Sequence, residues 1–165
     1  MLSNNGGITR SMKSLVAYYS KTGNTKTLAE AIADTLNADI EPIVSDTTGK
    51  GMGRLVLQAV FKVQAGIGQT TKDPSSYDVV VVGTPVWAHT MSSPVRTYLA
   101  KNKSKFKSVA FFCTYGGSGG ERALKNMESF CGKTAVGMLD IVEKELKSGE
   151  YVEKVKRFAT KLQEL

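Results

Sequence analysis

The amino-acid sequence predicts one α/β domain in which an open, parallel sheet carries helices on both faces. Short apolar runs, of which residues 79–82 are the clearest, are typical of strands that are covered on both sides. These runs alternate with segments in which apolar residues recur every three or four positions, as they do in helices. Such alternation predicts parallel strands joined by right-handed crossovers, and 165 residues suffice for one domain of this kind.

Five strands and five helices account for this alternation along the chain. In the first helix Leu28, Ile32 and Leu36 share one face. The second strand is expected at an edge of the sheet, because Pro42 cannot donate a ladder hydrogen bond. The predicted strands are 15–19, 38–44, 79–83, 109–113 and 134–141, and the predicted helices are 28–36, 54–65, 93–99, 123–130 and 151–162.

Two helix starts carry capping signals. Ser93 followed by Pro94 predicts that the serine is the N-cap and that the proline occupies the first turn. Ser118 and Glu121 match the capping-box pattern, which predicts that a helix begins directly after Ser118.

Charge and composition favour anionic partners and exclude several classes of protein, among them disulfide-rich and membrane-spanning proteins. Lys and Arg outnumber Asp and Glu by 22 to 15, and the net charge of +7 favours anionic partners. Cys113 and Cys131 are too few for a disulfide framework, and the single histidine, His89, excludes a multi-histidine metal site. No apolar run approaches the roughly 18–20 residues of a membrane-spanning helix. We expect a cytoplasmic protein with a flexible tail at residues 1–13 and a domain at 14–165.

The candidate site is expected where the parallel strands end, because ligands of such sheets bind at the carboxyl ends of the strands. After the first strand, residues 20–25 read Ser-Lys-Thr-Gly-Asn-Thr. Three hydroxyls, a glycine and the N–H groups of a helix start are suited to hold one phosphate. The loop matches neither the P-loop nor the dinucleotide-binding glycine pattern, so NTP hydrolysis and Rossmann-type binding are not supported.

The loops after the third and fourth strands each carry an aromatic residue. The first of them, residues 84–91, holds Trp87, and the second, residues 114–120, holds Tyr115 among glycines. Flat aromatic rings can stack on a planar ligand, and glycines allow the backbone to approach it closely. Together with the phosphate loop, these features suggest a planar ring system that carries a monophosphate, and flavin mononucleotide (FMN) fits that description.

All three loops resemble those of the flavodoxin family, whose phosphate loop has a hydroxyl residue, any residue and then Thr-Gly-Asn-Thr. Thr-Pro-Val-Trp-Ala at 84–88 and Thr-Tyr-Gly-Gly at 114–117 are similar to its two isoalloxazine loops. The resemblance covers residues 14–163 and implies strand order 2-1-3-4-5, noncovalent FMN and redox chemistry. The residues that it implies for FMN binding are Ser20, Lys21, Thr22, Gly23, Asn24, Thr25, Thr84, Pro85, Val86, Trp87, Ala88, His89, Thr114, Tyr115, Gly116, Gly117, Ser118 and Gly119.

The sequence departs from this family pattern in two respects. Relatives often have glycine at the position of His89, and the basic balance contrasts with the acidic surface that the resemblance implies. A positive field favours an anionic hydroquinone and raises the flavin potential. His89 is a candidate proton donor, because histidine changes its charge near neutral pH. The alternative is a polar loop residue beside the ring.

Two functions from different classes follow. The first is a carrier that passes single electrons between redox protein partners, with the lysines at 101, 103, 105 and 107 as a candidate dock for an acidic surface. The second is an enzyme that uses NAD(P)H to reduce quinones or similar acceptors. The sequence favours the first, because it shows no separate nicotinamide-binding element. A fold that has lost its flavin is disfavoured, as is nucleic-acid binding, because no recognition signature is present. A monomer or weak dimer is expected.

Overall fold

A parallel sheet forms the centre of the computed structural model, which describes residues 11–45 and 66–165. Its strand order is β2-β1-β3-β5-β6, and the short β4 pairs antiparallel with β3. Without β4 this is the predicted order 2-1-3-4-5, with the second strand at an edge as the sequence indicates. The strands are β1 Ser14–Tyr18, β2 Asp39–Pro42, β3 Val79–Trp87, β4 Thr90–Met91, β5 Ser108–Tyr115 and β6 Met138–Val142.

Helices cover both faces of this sheet, which gives the predicted three layers. Strand residues alternate between the faces, so Val80 and Val82 lie in one apolar cluster and Val81 lies in the other. The first cluster also holds Val95 and Met127, while α1 and α5 pack in the second. The α-helices of the described residues are α1 Asn24–Leu36, α2 Ser93–Asn102, α3 Gly120–Cys131, α4 Glu143–Ser148 and α5 Tyr151–Gln163, with 3-10 turns at Pro74–Ser76 and Lys103–Lys105.

Several element limits differ from the sequence prediction. The last strand begins at Met138 rather than at residue 134, and the short helix α4 follows it without a loop. The sequence did not predict α4, because it has no fully buried residue and therefore no apolar stripe. The helix predicted at 54–65 lies outside the described residues.

Both capping predictions need correction. Ser92, and not Ser93, is the N-cap of α2, so Ser93 is the first helical residue, although Pro94 does occupy the first turn. The N-cap of α3 is Gly119, with φ 97°, so Ser118 lies one position too early to form a capping box. A left-handed backbone is easiest for glycine, which explains why the helix begins there. Glu121 forms an ion pair with Lys125 at 2.7 Å instead.

Hydrogen bonds attach two segments that flank the strands to the rest of the domain: the residue before β1, and residues 68–72 beside β2. The Lys13 N–H donates to Asp78 Oδ2 at 2.8 Å, so the residue before β1 is attached to the domain. After β2, Gly68 N–H donates to the Val44 carbonyl at 2.8 Å. The buried carboxylate of Glu41 then accepts hydrogen bonds from both N–H groups of residues 71–72 and from the hydroxyl of residue 71.

Candidate functional site

The three loops predicted to form the site meet at one edge of the sheet. They lie at the carboxyl ends of β1, β3 and β5, which are adjacent parallel strands, so these ends lie side by side. The prediction ended two of the strands too early, because residues 84–87 belong to β3 and residues 114–115 belong to β5. A hydrogen bond of 2.8 Å between the hydroxyls of Thr25 and Thr114 joins the first loop to the third. His89 Nε2 lies 3.4 Å from Ser118 Oγ and so connects the second loop to the third.

The first loop presents an uncapped helix start. Gly23 is the N-cap of α1 with φ 100°, and its N–H donates to Ser20 Oγ at 3.1 Å. No side chain caps the helix and no acid lies in its first turn, so the positive end of α1 is not compensated locally. Lys21 and Thr22 are exposed beside it. This arrangement fits a small anion.

The hydroxyl of Thr25 contacts another loop of the site, and its contact with a phosphate stays a prediction. The side chain is 1% exposed and hydrogen-bonds to Thr114, so it links two loops and does not face solvent. Its neighbour Asn24 donates from Nδ2 to Glu143 Oε1 at 3.3 Å. Sequence reasoning missed Glu143, but the rule that functional residues follow strand ends would have found it, because it comes directly after β6.

In the second loop, Thr84 and Trp87 are parts of the framework. Thr84 is buried, donates to Ser92 Oγ at 3.1 Å and accepts from the Ser92 N–H at 2.9 Å, which fixes the approach to α2. Trp87 is 5% exposed and packs edge-on against Tyr19, with ring centroids 5.6 Å apart. The ring thus lies in the core, and its stacking on a ligand stays a prediction. Pro85 and Val86 are half-buried between them.

A strained hairpin ends the second loop. Ala88 and His89 form the two-residue connection between the paired residues Trp87 and Thr90, and both have positive φ, 50° and 61°. This is the geometry of a type I′ turn, which favours Asn and Gly. Left-handed backbone costs about 1–2 kcal/mol for an ordinary residue. The turn rests on the third loop, since a Cβ added to Gly119 would lie 3.1 Å from His89 Cα.

The third loop combines an anchored aromatic ring with an open backbone. The Tyr115 hydroxyl donates to Asp140 Oδ2 at 2.9 Å. Burial, followed by this hydrogen bond, raises the pKa of Tyr115 to about 12, so the residue is neutral at physiological pH. Its ring covers Gly120, where a Cβ would lie only 2.4 Å from Tyr115 Cε1. Gly116, Gly117 and Ser118 are exposed and accessible to a ligand.

The two cysteines are buried, and three of the four lysines of the predicted dock have partners within the protein. Burial raises the pKa of both Cys113 and Cys131, which disfavours the reactive thiolate form. Lys103 donates to the Phe130 carbonyl at 2.9 Å. The lysines at 105 and 107 form ion pairs with the aspartates at 73 and 78, at 3.8 and 3.9 Å. Only Lys101 of the four is left without a partner that the structure records, so docking of an acidic surface at this run stays a prediction.

Metal-binding clusters and membrane-spanning helices are both absent from the described residues. Within 11–45 and 66–165, histidine, cysteine and acidic side chains do not gather in threes as a metal site would require. None of the helices in these two ranges combines the length and the apolar character needed to cross a bilayer.

Comparison with known proteins agrees with this architecture. A flavodoxin family model matches residues 56–157, which is more than half of the chain and includes the second and third loops. The chain resembles a flavoprotein of Lactobacillus acidophilus NCFM solved in complex with FMN (TM-score 0.70, 24% identity, 83% of this chain and 97% of that one). It also resembles oxidised flavodoxin 2 of Bacillus cereus (0.61, 20%, 92% and 98%). A third similar structure is the flavodoxin, WrbA-like protein of Agrobacterium tumefaciens (0.60, 17%, 91% and 96%). Because the family model covers more than half of the chain, the chain belongs to the flavodoxin family.

Proposed function

We propose that the protein binds FMN at the described edge of the sheet and uses it to pass electrons between redox protein partners. The observation that carries this proposal is the meeting of three loops, one suited to a phosphate and two suited to a ring. Hydroxyl and imidazole contacts join these loops to one another.

The first loop has the groups that a flavin phosphate needs. Ser20, Thr22 and the N–H groups that follow Gly23 would hold it, because the start of α1 is uncapped and free of acidic side chains in its first turn. The nearby carboxylate of Glu143 already accepts a hydrogen bond from Asn24 and lies 3.5 Å from Lys147 Nζ, which offsets its charge.

The other two loops have the space and the surfaces for a ring system. Ala88 and His89 from one side, and the backbone at 116–117 with Tyr115 from the other, would hold the isoalloxazine. Bound flavin supplies the redox chemistry, since it accepts one or two electrons. The chain's own residues bind it, orient it and exclude water from one side of the site.

A second candidate function is that of an NAD(P)H-dependent reductase of quinones or similar acceptors. The observation that favours it is the exposed pair formed by His89 and Ser118, whose Nε2 and Oγ atoms are 3.4 Å apart. An imidazole beside a hydroxyl at the open edge of the site is placed to give a proton to an acceptor. A carrier of single electrons does not require such a group.

One experiment separates these functions. FMN is titrated into the purified protein, and the bound flavin is then reduced stepwise without oxygen while its visible absorbance is recorded. Uptake of electrons in two separate steps, with slow reduction by NAD(P)H, supports the carrier. Uptake in a single step, with rapid reduction by NAD(P)H, supports the enzyme. Unchanged absorbance and fluorescence of FMN on mixing would overturn both.

A further inference from the structure

Two buried polar groups without a hydrogen-bond partner lie at the start of α2. The hydroxyl of Ser93 is fully buried, and Nε of Arg96 is unpaired in a side chain that is 5% exposed. The two residues are three positions apart on the helix, so they share one face. Buried polar groups in native proteins nearly always have a partner, and this pair therefore indicates a missing one.

No acidic side chain of residues 11–45 and 66–165 pairs with Arg96. Burial is the only influence that shifts its pKa, which it lowers, so no carboxylate of the described ranges acts on the guanidinium. Its contacts are a long hydrogen bond of 3.4 Å from Nη2 to Thr90 Oγ1 and the ring face of Phe130, 5.2 Å away. Neither contact neutralises a full charge. A buried cation without an anion is costly, which favours an external anion.

The backbone adds to the positive potential at this point. Helix α2 has neither a side-chain cap nor an acidic residue in its first turn, so its positive end is uncompensated. Lys103 contributes a second cation, since its Nζ lies 4.8 Å from the centre of the same Phe130 ring. A hydroxyl donor, a guanidinium and a helix start thus lie within one turn of helix.

We propose that Ser93 and Arg96, together with Thr90, bind the carboxylate group of a small organic ligand. A guanidinium forms paired, charge-assisted hydrogen bonds with a planar carboxylate, and the single negative charge of that group matches the single charge of Arg96. Thr90 and Phe130 are both half-buried, so the guanidinium lies one layer of side chains beneath the surface. This site does not depend on bound FMN.

The position of the site relates it to the flavin edge. Thr90 follows directly after His89, and β4 leads from the hairpin to Ser92 and the start of α2. A ligand whose carboxylate is held at Arg96 would therefore lie beside the hairpin. This predicts an acceptor or effector that carries a carboxylate, in contrast to a neutral quinone.

The test uses flavin-free protein and sodium acetate as the probe, at an ionic strength held constant with sodium chloride. Thermal unfolding and the ¹⁵Nε signal of Arg96 are measured as acetate increases. We expect a saturable rise in the unfolding temperature and a shift of that one signal. In Arg96→Met the apparent acetate affinity should fall at least about tenfold. Without acetate this variant should be at least as stable as the original protein, because a buried, unbalanced charge is gone.

Two further variants complete the test. Ser93→Ala should weaken acetate binding less than Arg96→Met does, and it keeps the proposal testable if the latter does not fold. Arg122→Met is the matched control, because Arg122 is an exposed arginine on α3 and should keep the full response. An equal acetate response in Arg96→Met and the original protein would overturn the proposal. A ¹⁵Nε signal of Arg96 that does not shift as acetate increases would also overturn it. Saturation by inorganic phosphate at lower concentrations than acetate would overturn the carboxylate assignment.

Discussion

The first loop and the β3–β4 hairpin both reach the site with left-handed backbone, but they do so with different residues. In the first loop the left-handed position is Gly23, with φ 100°. In the hairpin it is Ala88 and His89: alanine disfavours that conformation, and histidine tolerates it better than most residues but less well than glycine. The first loop therefore has a sequence that matches its geometry, whereas the hairpin is held in a conformation that its own residues resist. Strain of this kind is retained at functional positions.

Breaking the match in the first loop should have the largest effect. Gly23→Ala adds no clash, because no heavy atom lies within 4 Å of the new Cβ, so its effect is through the backbone alone. We expect FMN affinity to fall by up to about thirtyfold, which corresponds to a strain of about 1–2 kcal/mol, because relief of that strain moves the N–H groups that would hold the phosphate. Fluorescence titration with FMN measures this. Gly149→Ala is the control, because it has φ 84° and equally free surroundings but follows α4. Equal losses in both variants would contradict the assignment of the phosphate to the first loop.

Separating the first loop from the third should have the next largest effect. Thr25→Val keeps the volume of the side chain but leaves the buried hydroxyl of Thr114 without its partner. We expect the free energy of unfolding to fall by about 1–3 kcal/mol, measured in urea. Adding Thr114→Val should restore part of that loss, because both hydroxyls are then absent. Strict additivity of the two substitutions would show that the hydroxyls do not interact.

Removing the left-handed strain at His89 should have a smaller effect, and it should raise the stability of the protein rather than lower it. His89→Gly removes the left-handed strain, and we expect a gain in stability of about 1 kcal/mol, since the exposed contact with Ser118 is long and contributes little. Thermal unfolding measures the gain. Asn37→Gly is the control, because asparagine already tolerates its φ of 49° at the end of α1. A loss of stability in His89→Gly would mean that the contact with Ser118 outweighs the strain.

The smallest effect concerns Tyr115 and alkaline pH. Its folded-state pKa of about 12 is above the ordinary value of 10.0, so its contribution to stability is complete below pH 10 and is lost as the pH rises towards 12. Tyr115→Phe should therefore be less stable than the original protein at pH 8, by about 1 kcal/mol, and the difference should shrink between pH 10 and 12. Urea unfolding across this range measures it.

Tyr77→Phe serves as the control for that effect. Burial, followed by a hydrogen bond to Asp39, raises the pKa of Tyr77 to about 12 as well, but Tyr77 is remote from the three loops. Both variants should show the same pH trend, and only Tyr115→Phe should alter FMN binding. A constant stability difference at all pH values would contradict the role of ionisation.

Apolar patterning was sufficient to predict the fold class and the edge at which the site lies. Runs such as 79–82 and the alternation with helices predict a parallel sheet with helices on both faces, whereas the strand order followed from the resemblance of the three loops to those of the flavodoxin family. The orientation of individual side chains was not predictable, because it depends on tertiary neighbours. Thr25 faces Thr114 and Trp87 faces Tyr19, and neither partner is near in sequence.

Other features of the site arise where no local signal exists. Asp140 in β6 and Glu143 directly after it contact the loops, but the apolar pattern placed the start of β6 at residue 134 rather than at Met138. The turn at Ala88–His89 has left-handed backbone, but the sequence there lacks the glycine or asparagine from which such a turn is predicted. The uncompensated charge of Arg96 reflects the absence of a described carboxylate near it in space, and sequence order does not reveal which groups are near in space.

The hydrogen bonds that follow β2 have a consequence for the evolution of this chain. Val44 and Glu41 bind residues 68 and 71–72, and Ser45 pairs with Ile67, so the chain that follows β2 and the chain that begins at residue 67 are held together. Because the donors and acceptors of these bonds lie at 41–45 and 67–72, substitutions at 46–65 remove none of them, and evolution can vary those positions while the bonds that join β2 to residues 67–72 persist.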